Sequence, residues 1–209
     1  MTKKPRATYH HGDLATALLD AAETLVANKG VAGFSLREAA RVVGVDPAAC
    51  YRHFRDREAI IQALATRGFT KLAHAFAAVV EANRRRKPVE VVRALGHAYV
   101  RFAIESPSVF RCMFGPNGFD ARDPALRGDY GVGGYEQVQR AIAAWFEADG
   151  ITVELDDATI ALWSTVHGFA SMVLDGALRF NQSAVRDRTV DNLLTTLVAG
   201  LKTRGRALA

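Results

Sequence analysis

The chain has 209 residues, of which 49% are hydrophobic and 23% charged, with a formal net charge of +5. This composition is typical of a folded globular protein and excludes a disordered chain. The sequence has no apolar run of about 18 residues, the length of a transmembrane helix. Its two cysteines exclude a disulfide framework. We therefore expect a cytoplasmic protein with no membrane partner.

The first two predicted helices follow from helical spacing of apolar residues. Such residues recur every three or four positions from Asp13, and Gly30 predicts the end of that helix. Ser35 followed by Glu38 predicts a capping box at the start of the second helix.

A third, short helix, predicted at residues 47–53, follows the glycine turn at Gly44. Asp46 can cap it, and Pro47 suits its first position because that position needs no N–H donor. Cys50 and Phe54 lie one turn apart and should face a small core. Two short helices joined by a tight turn predict a helix-turn-helix.

The rest of the chain is also predicted to be helical, with about nine helices in an all-α fold. We expect a helix-turn-helix domain at residues 1–55 and a larger helical bundle at 56–209. The later helices are predicted from Asp56 to the basic run at 84–87, then at 89–105, 108–114, 135–149, 156–180 and 186–206, with a loop from Gly115 to Gly134.

The third helix has a polar side that suits nucleic acid. Ala48 and Arg52 lie opposite its apolar side, and the small residues at its start allow close approach to a groove. Tyr51, Arg52 and His53 offer donors to phosphate oxygens and base edges. The N-terminal third also carries most of the net positive charge, with ten Lys and Arg against seven Asp and Glu in residues 1–67.

The stretch FSLREAARVVGVDPAACYRHFRDREAII resembles the DNA-binding signature of TetR-type transcriptional regulators, over roughly residues 13–65. The resemblance implies an all-α homodimer that binds operator DNA and a small-molecule effector. It implies phosphate contacts from Ser35, Tyr51 and Arg57, a backbone contact from His53, and base-edge positions for Pro47, Ala48 and Arg52. Arg6, with Lys3 and Lys4, would form a basic arm on the DNA.

The C-terminal half resembles one TetR subfamily, named for a Trp-x-x-x-His-Gly motif. The motif here is WSTVHG at 163–168, together with ESPSVFRCMFG at 105–115 and YHHGDL at 9–14. An imidazole among apolar groups can anchor a ligand, which makes His167 a candidate pocket residue. The other candidates for the pocket wall are Phe76, Tyr99, Phe102, Phe110, Met113 and Trp163.

The last two helices carry more apolar residues than one chain is expected to cover. In the family such helices pair with their copies in a dimer. The candidate interface residues are Leu162, Val166, Val173, Leu194, Leu197 and Leu201. Burial of these residues inside one chain is the alternative.

Two other functions stay open at this stage. One is a helical-bundle enzyme with a pocket near Trp163 and His167, although the sequence has no catalytic triad and no paired-carboxylate signature. The other is a DNA-organising protein without sequence preference. His10 and His11 are too few for a metal site, so we expect neither metal nor cofactor.

Overall fold

The computed structural model describes residues 11–115 and 133–207. In these residues the chain forms nine helices and no strand, which confirms the predicted fold class. The basic arm with Arg6, and most of the predicted loop at 115–134, lie outside the described residues. The helices are α1 (His11–Lys29), α2 (Leu36–Val43), α3 (Pro47–Cys50), α4 (Arg57–Ala82), α5 (Pro88–Glu105), α6 (Pro107–Phe114), α7 (Gly134–Asp149), α8 (Leu155–Leu174) and α9 (Ser183–Ala207).

Helices α1 to α3 pack together at the N-terminal end, with α2 in contact with both α1 and α3. Gly44 ends α2 in the left-handed conformation, with φ of 80°, which a glycine adopts without strain. Its N–H donates to the carbonyl of Ala40 at 2.9 Å. The Asp46 carboxylate then accepts from the N–H of Ala48 at 2.7 Å and starts α3. The turn therefore forms as a helix-turn-helix requires.

Two local predictions in this region are only partly met. The N–H of Glu38 donates to Ser35 Oγ at 3.3 Å, as expected. The Glu38 carboxylate, however, binds Lys29 and Arg41, so a nearby pair of cations replaces the second half of the capping box. In addition α3 ends at Cys50, and a turn follows where we expected its last residues.

Helix α4 joins the N-terminal helices to the rest of the molecule, because it packs against α1 as well as α5, α6 and α7. Arg67 of α4 pairs with Asp20 at 2.6 Å and with Glu23 at 3.3 Å, both on α1. Lys71 pairs with Glu23 at 3.0 Å. Movement of α4 would therefore be transmitted to α1.

Helices α4 and α6 cross closely at Gly68. A Cβ atom at this position would lie 2.6 Å from both Val109 Cγ1 and Met113 Sδ, well inside a normal contact. The distance between the two helices thus depends on a residue without a side chain.

Helix α5 lies at the centre of the C-terminal bundle and contacts α4, α6, α7, α8 and α9. Helix α8 ends at Leu174, earlier than the predicted end at Phe180. The reason is a chain reversal at Gly176, where φ is 75° and the N–H of Leu178 donates back to the carbonyl of Met172 at 3.0 Å.

Candidate nucleic-acid interface and ligand cavity

Helix α3 and the turn after it bury one side and expose the other. Cys50 is fully buried and Phe54 is 9% exposed, which confirms that both belong to the core. Tyr51 is 49% exposed, and Arg52 is also exposed. Pro47 and Ala48 are exposed as well. This arrangement leaves a polar surface, preceded by small residues, free to approach a nucleic-acid groove.

Two further arginines, absent from the predicted contacts, are exposed on α2. Arg37 and Arg41 project from α2 on the side away from its buried residues. The helical spacing of those buried residues was a signal that could have identified both arginines. Of the other predicted contacts, Ser35 is exposed and His53 is half-buried.

Arg57 makes contacts inside the protein that the sequence did not predict. Its guanidinium donates to the carbonyl of Phe34 at 3.2 Å and to the carbonyl of Val31. It also pairs with Glu58 at 3.3 Å. These donors are used inside the protein, and the phosphate contact of Arg57 stays a prediction.

The C-terminal bundle holds a partly open cavity of about 80 Å³ between helices α4 to α9. Its lining is almost entirely apolar and aromatic. The lining residues are Phe69, Leu72, Phe76, Val92, Leu95, Gly96, Tyr99, Phe114, Gly133, Gly134, Tyr135, Glu136, Val138, Thr159, Leu162, Trp163, Val166 and Leu194.

Three ring side chains form a hydrogen-bonded chain at one wall of the cavity. Trp163 Nε1 donates to the Tyr99 hydroxyl at 3.1 Å. The Tyr99 hydroxyl lies 2.8 Å from His167 Nδ1. Since an indole can only donate, Tyr99 accepts from Trp163. The Tyr99 O–H can donate to Nδ1 in the neutral His167 tautomer that carries its proton on Nε2.

Burial controls the charge of these groups. Desolvation lowers the pKa of His167 and raises the pKa of Tyr99, so both side chains are neutral near pH 7. Burial also raises the pKa of the Cys112 thiol to about 11, which keeps it in the unreactive thiol form.

A second concavity, a groove of about 760 Å³, lies beside the cavity. It is lined by Val31 and Ala32 of the α1–α2 connection, by Arg57 of α4 and by His167 of α8, among others. His167 therefore lies at the groove that borders the helix-turn-helix. Its hydrogen bond to Tyr99 connects it to the wall of the cavity.

The structure separates the predicted pocket residues into three groups. Phe76, Tyr99 and Trp163 line the cavity, whereas Phe110 and His167 line the groove. Among the described side chains, Phe102 and Met113 line neither and are buried between helices, 8% and 0% exposed. Helical spacing identifies an inward-facing residue but not the cavity that it reaches.

Four of the six residues predicted for the dimer interface are buried inside the protomer. Leu162, Val166 and Leu194 are at most 6% exposed and line the cavity, and Leu201 is also buried at 6%. These four side chains face the inside of the protomer and are not available to a partner chain. Val173 and Leu197 are half-buried and pack against the same core.

Neither a metal cluster nor a spanning helix occurs in the part of the chain that the structure describes. No group of three or more His, Cys, Asp or Glu side chains there could hold a metal ion. No helix there is both long and apolar enough to cross a membrane.

Two protein families match the chain. Residues 18–64 match the family described as bacterial regulatory proteins, tetR family. Residues 92–197 match the family described as tetracyclin repressor-like, C-terminal domain. Neither match tests the resemblance to the Trp-His-Gly subfamily, which stays a prediction.

Individual relatives agree with these families. The uncharacterized HTH-type transcriptional regulator YobS of Bacillus subtilis is 37% identical over 93 residues, 44% of this chain, and the match spans about half of YobS (47%). A protein of unknown function from Rhodococcus sp. RHA1 is 30% identical, with a TM-score of 0.76 over 94% of this chain and all of that one. RolR, solved with the ligand resorcinol, is 21% identical with a TM-score of 0.63, over 91% of this chain and 88% of RolR. This last likeness shows the fold alone.

Proposed function

Because the chain belongs to the TetR family of bacterial regulatory proteins, we propose that it is a transcriptional repressor whose cavity binds a small effector. The observation that carries the proposal is α3, which buries Cys50 and exposes Tyr51 and Arg52 beside it. A buried apolar side fixes the orientation of the helix, so the exposed polar side is presented in a defined way.

The DNA-contacting surface comprises Ser35, Pro47, Ala48, Tyr51, Arg52 and His53, with Arg37 and Arg41 added from α2. Tyr51 and Ser35 would bind phosphates, which set the register of the protein on the duplex. Arg52 would reach base edges, where an arginine discriminates among base pairs. Arg6 stays a proposed contact of the N-terminal arm.

We propose a homodimer that pairs through the outer side of α8 and α9 rather than through the buried leucines. Ile160 and Met172 are large apolar residues on α8 that are 43% and 47% exposed. Between them lies Gly168, and on α9 Gly200, where a Cβ atom would meet nothing within 4 Å. Exposed apolar groups beside glycines suit close packing of two copies.

An effector would act through α4. We propose a domain boundary between residues 55 and 56, so that α4 opens the effector domain while its ion pairs hold α1. Phe69, Leu72 and Phe76 of α4 line the cavity, and a ligand there would shift the helix. The two α3 helices would then leave the spacing of about 34–36 Å that successive major grooves require. RolR, with its bound resorcinol, supports a small-molecule effector.

The test is a gel-shift assay on a sequence that the wild-type protein selects from random duplex DNA. Tyr51→Ala with Arg52→Ala should weaken binding at least about a hundredfold, because phosphate and base contacts are lost together. The double variant should keep the wild-type oligomeric state. Arg85→Ala, which removes one exposed charge from the turn after α4, should bind as wild type.

Two outcomes would contradict the proposal. Persistent binding by the double variant would remove α3 from the interface. Failure to select any sequence would favour the DNA-organising alternative, because phosphate contacts carry no sequence information. The matched families give no support to the enzyme alternative, and we place the protein in the bacterial cytoplasm, with the DNA.

A further inference from the structure

The helix-turn-helix carries an excess of positive charge, interrupted by two acidic residues. From Lys29 to Arg55 the chain has five lysines and arginines, against Glu38 and Asp46 as its acidic residues. The Asp46 carboxylate caps α3, because it accepts from the N–H of Ala48 at 2.7 Å. The Glu38 carboxylate binds two cationic side chains instead.

Glu38 lies between a lysine and an arginine that come from two different helices. Lys29 Nζ, at the last residue of α1, binds Glu38 Oε1. Arg41, one turn further along α2, binds the same oxygen at 3.3 Å. The Glu38 side chain is 16% exposed, whereas those of Lys29 and Arg41 are 49% and 79% exposed. The carboxylate is therefore mostly covered, while both cations stay accessible from solvent.

The two cations lie close to proposed phosphate contacts. Ser35, the N-cap of α2, accepts at its Oγ from the N–H of Glu38 at 3.3 Å. The first helix of a helix-turn-helix crosses the DNA backbone, and α2 holds that place here. Arg37 and Arg41 project from its exposed side. A phosphate at this end of α2 therefore meets Lys29 and Arg41 while both are bound to Glu38.

We propose that Glu38 competes with DNA phosphates for Lys29 and Arg41, and so weakens binding to every duplex alike. The inference rests on the proposed function, in which this side of α2 meets DNA. Each cation pairs with a phosphate either by leaving the carboxylate or by sharing itself between two anions that repel each other. A phosphate contact carries no sequence information. Glu38 thus limits the affinity without changing the preferred sequence.

Fluorescence anisotropy on the full chain tests this with two labelled duplexes: the selected sequence and a random duplex of equal length. Glu38→Gln keeps the shape of the side chain but loses its charge, so both cations are released. At constant salt, both duplexes should bind about fivefold tighter. The slope of log affinity against log salt should become steeper by about one, because one more phosphate is neutralised.

Two further changes assign the effect to these ion pairs. In a chain that already carries Lys29→Gln and Arg41→Gln, Glu38→Gln should add less than about twofold, because no cation is left to release. Glu81→Gln is the matched control, since Glu81 pairs with Arg84 at 3.2 Å with the same sequence spacing, near the other end of α4. It should change the affinity for either duplex by less than about twofold.

Three results would overturn the inference. If Glu38→Gln bound DNA no tighter than wild type, the carboxylate would only hold α1 against α2. An equal gain in Glu81→Gln would mean that net charge alone sets the affinity. A full gain in the chain without the two cations would mean that their release contributes nothing.

The two proposals can fail separately. If the protein selects a sequence but Glu38→Gln binds it no tighter, the repressor function stands and the competition is wrong. If no sequence is selected but Glu38→Gln binds the random duplex tighter, with a steeper salt slope, the competition stands and the repressor function is wrong. Absence of binding to any duplex would overturn both.

Discussion

At the scale of single residues, Arg57 connects the helix-turn-helix to the bundle. It is the first residue of α4, and its guanidinium binds the carbonyls of Val31 and Phe34 in the connection before α2. Hydrogen bonds from a charged donor contribute about 1.5–3 kcal/mol each to stability. One side chain therefore satisfies two part-buried acceptors and fixes the position of the N-terminal helices.

We expect Arg57→Met to lower the free energy of unfolding by about 2 kcal/mol or more, because both carbonyls lose their donor while the apolar stem is kept. Urea denaturation followed by circular dichroism measures this. Arg55→Met is the matched control, since that side chain is 87% exposed and its loss should change stability by less than about 0.5 kcal/mol. Equal effects of the two variants would show that the carbonyl contacts contribute nothing.

At the scale of elements, α3 is a single helical turn and depends on its cap. A helix this short gains little from its own hydrogen bonds, since nucleation is unfavourable. The Asp46 carboxylate, 2.7 Å from the N–H of Ala48, and the buried Cys50 hold it in place. The position of the DNA-contacting surface thus depends on one carboxylate and one core contact.

Asp46→Ala should weaken binding to the selected DNA about tenfold or more, because an uncapped α3 frays, and should cost about 1 kcal/mol of stability. Asp46→Asn keeps a capping oxygen but loses the charge, so it should bind at least as tightly as wild type. Gel shifts at constant salt separate the two effects. Similar weakening in both variants would mean that the charge matters and the cap does not.

At the scale of the whole molecule, two copies must be joined for two α3 helices to reach successive grooves. The cavity uses the inward sides of α8 and α9, so only the outward sides are left for a partner. Ile160 and Met172, with the open space at Gly168, mark that outer surface. Effector site and dimer interface would then lie on opposite sides of the same helices.

Met172→Glu should therefore raise the dimer dissociation constant about a hundredfold, because an unpaired charge would be buried between the copies. Sedimentation velocity over a concentration series measures the change. Val80→Glu is the matched control, since Val80 is 38% exposed on α4, away from the proposed interface. A Met172→Glu dimer as tight as wild type would exclude this surface.

Much of the fold could be predicted from local sequence. Capping and turn residues such as Asp46, Asp56 and Gly44 act within a few positions, and the helix ends that they set were identified correctly. The end of α8 was missed, because the reversal at Gly176 interrupts an apolar pattern that continues to Phe180. Periodicity is insensitive to a single residue with positive φ.

Some features of the candidate sites also follow from local sequence, and others do not. The exposed positions of Tyr51 and Arg52 follow from their place on a short helix whose other side is apolar. The identity of the cavity lining does not follow, because Leu162 and Leu194 suit a dimer interface and a cavity wall equally well by spacing. The hydrogen bonds of Arg57 to the carbonyls of Val31 and Phe34 could not be predicted either, because they join residues more than twenty positions apart.

The sequence by itself determined the helices, the buried side of α3 and the sign of the charge around it, since these depend on neighbours a few residues apart. Only the tertiary structure decided which side of α8 and α9 faces α5, which rings meet around the cavity, and that Glu136 is the one charged side chain among its described lining. Those features depend on residues that lie far apart in the chain, such as Phe69 and Leu194 of the cavity lining, and spacing within one helix carries no information about the helix that packs against it.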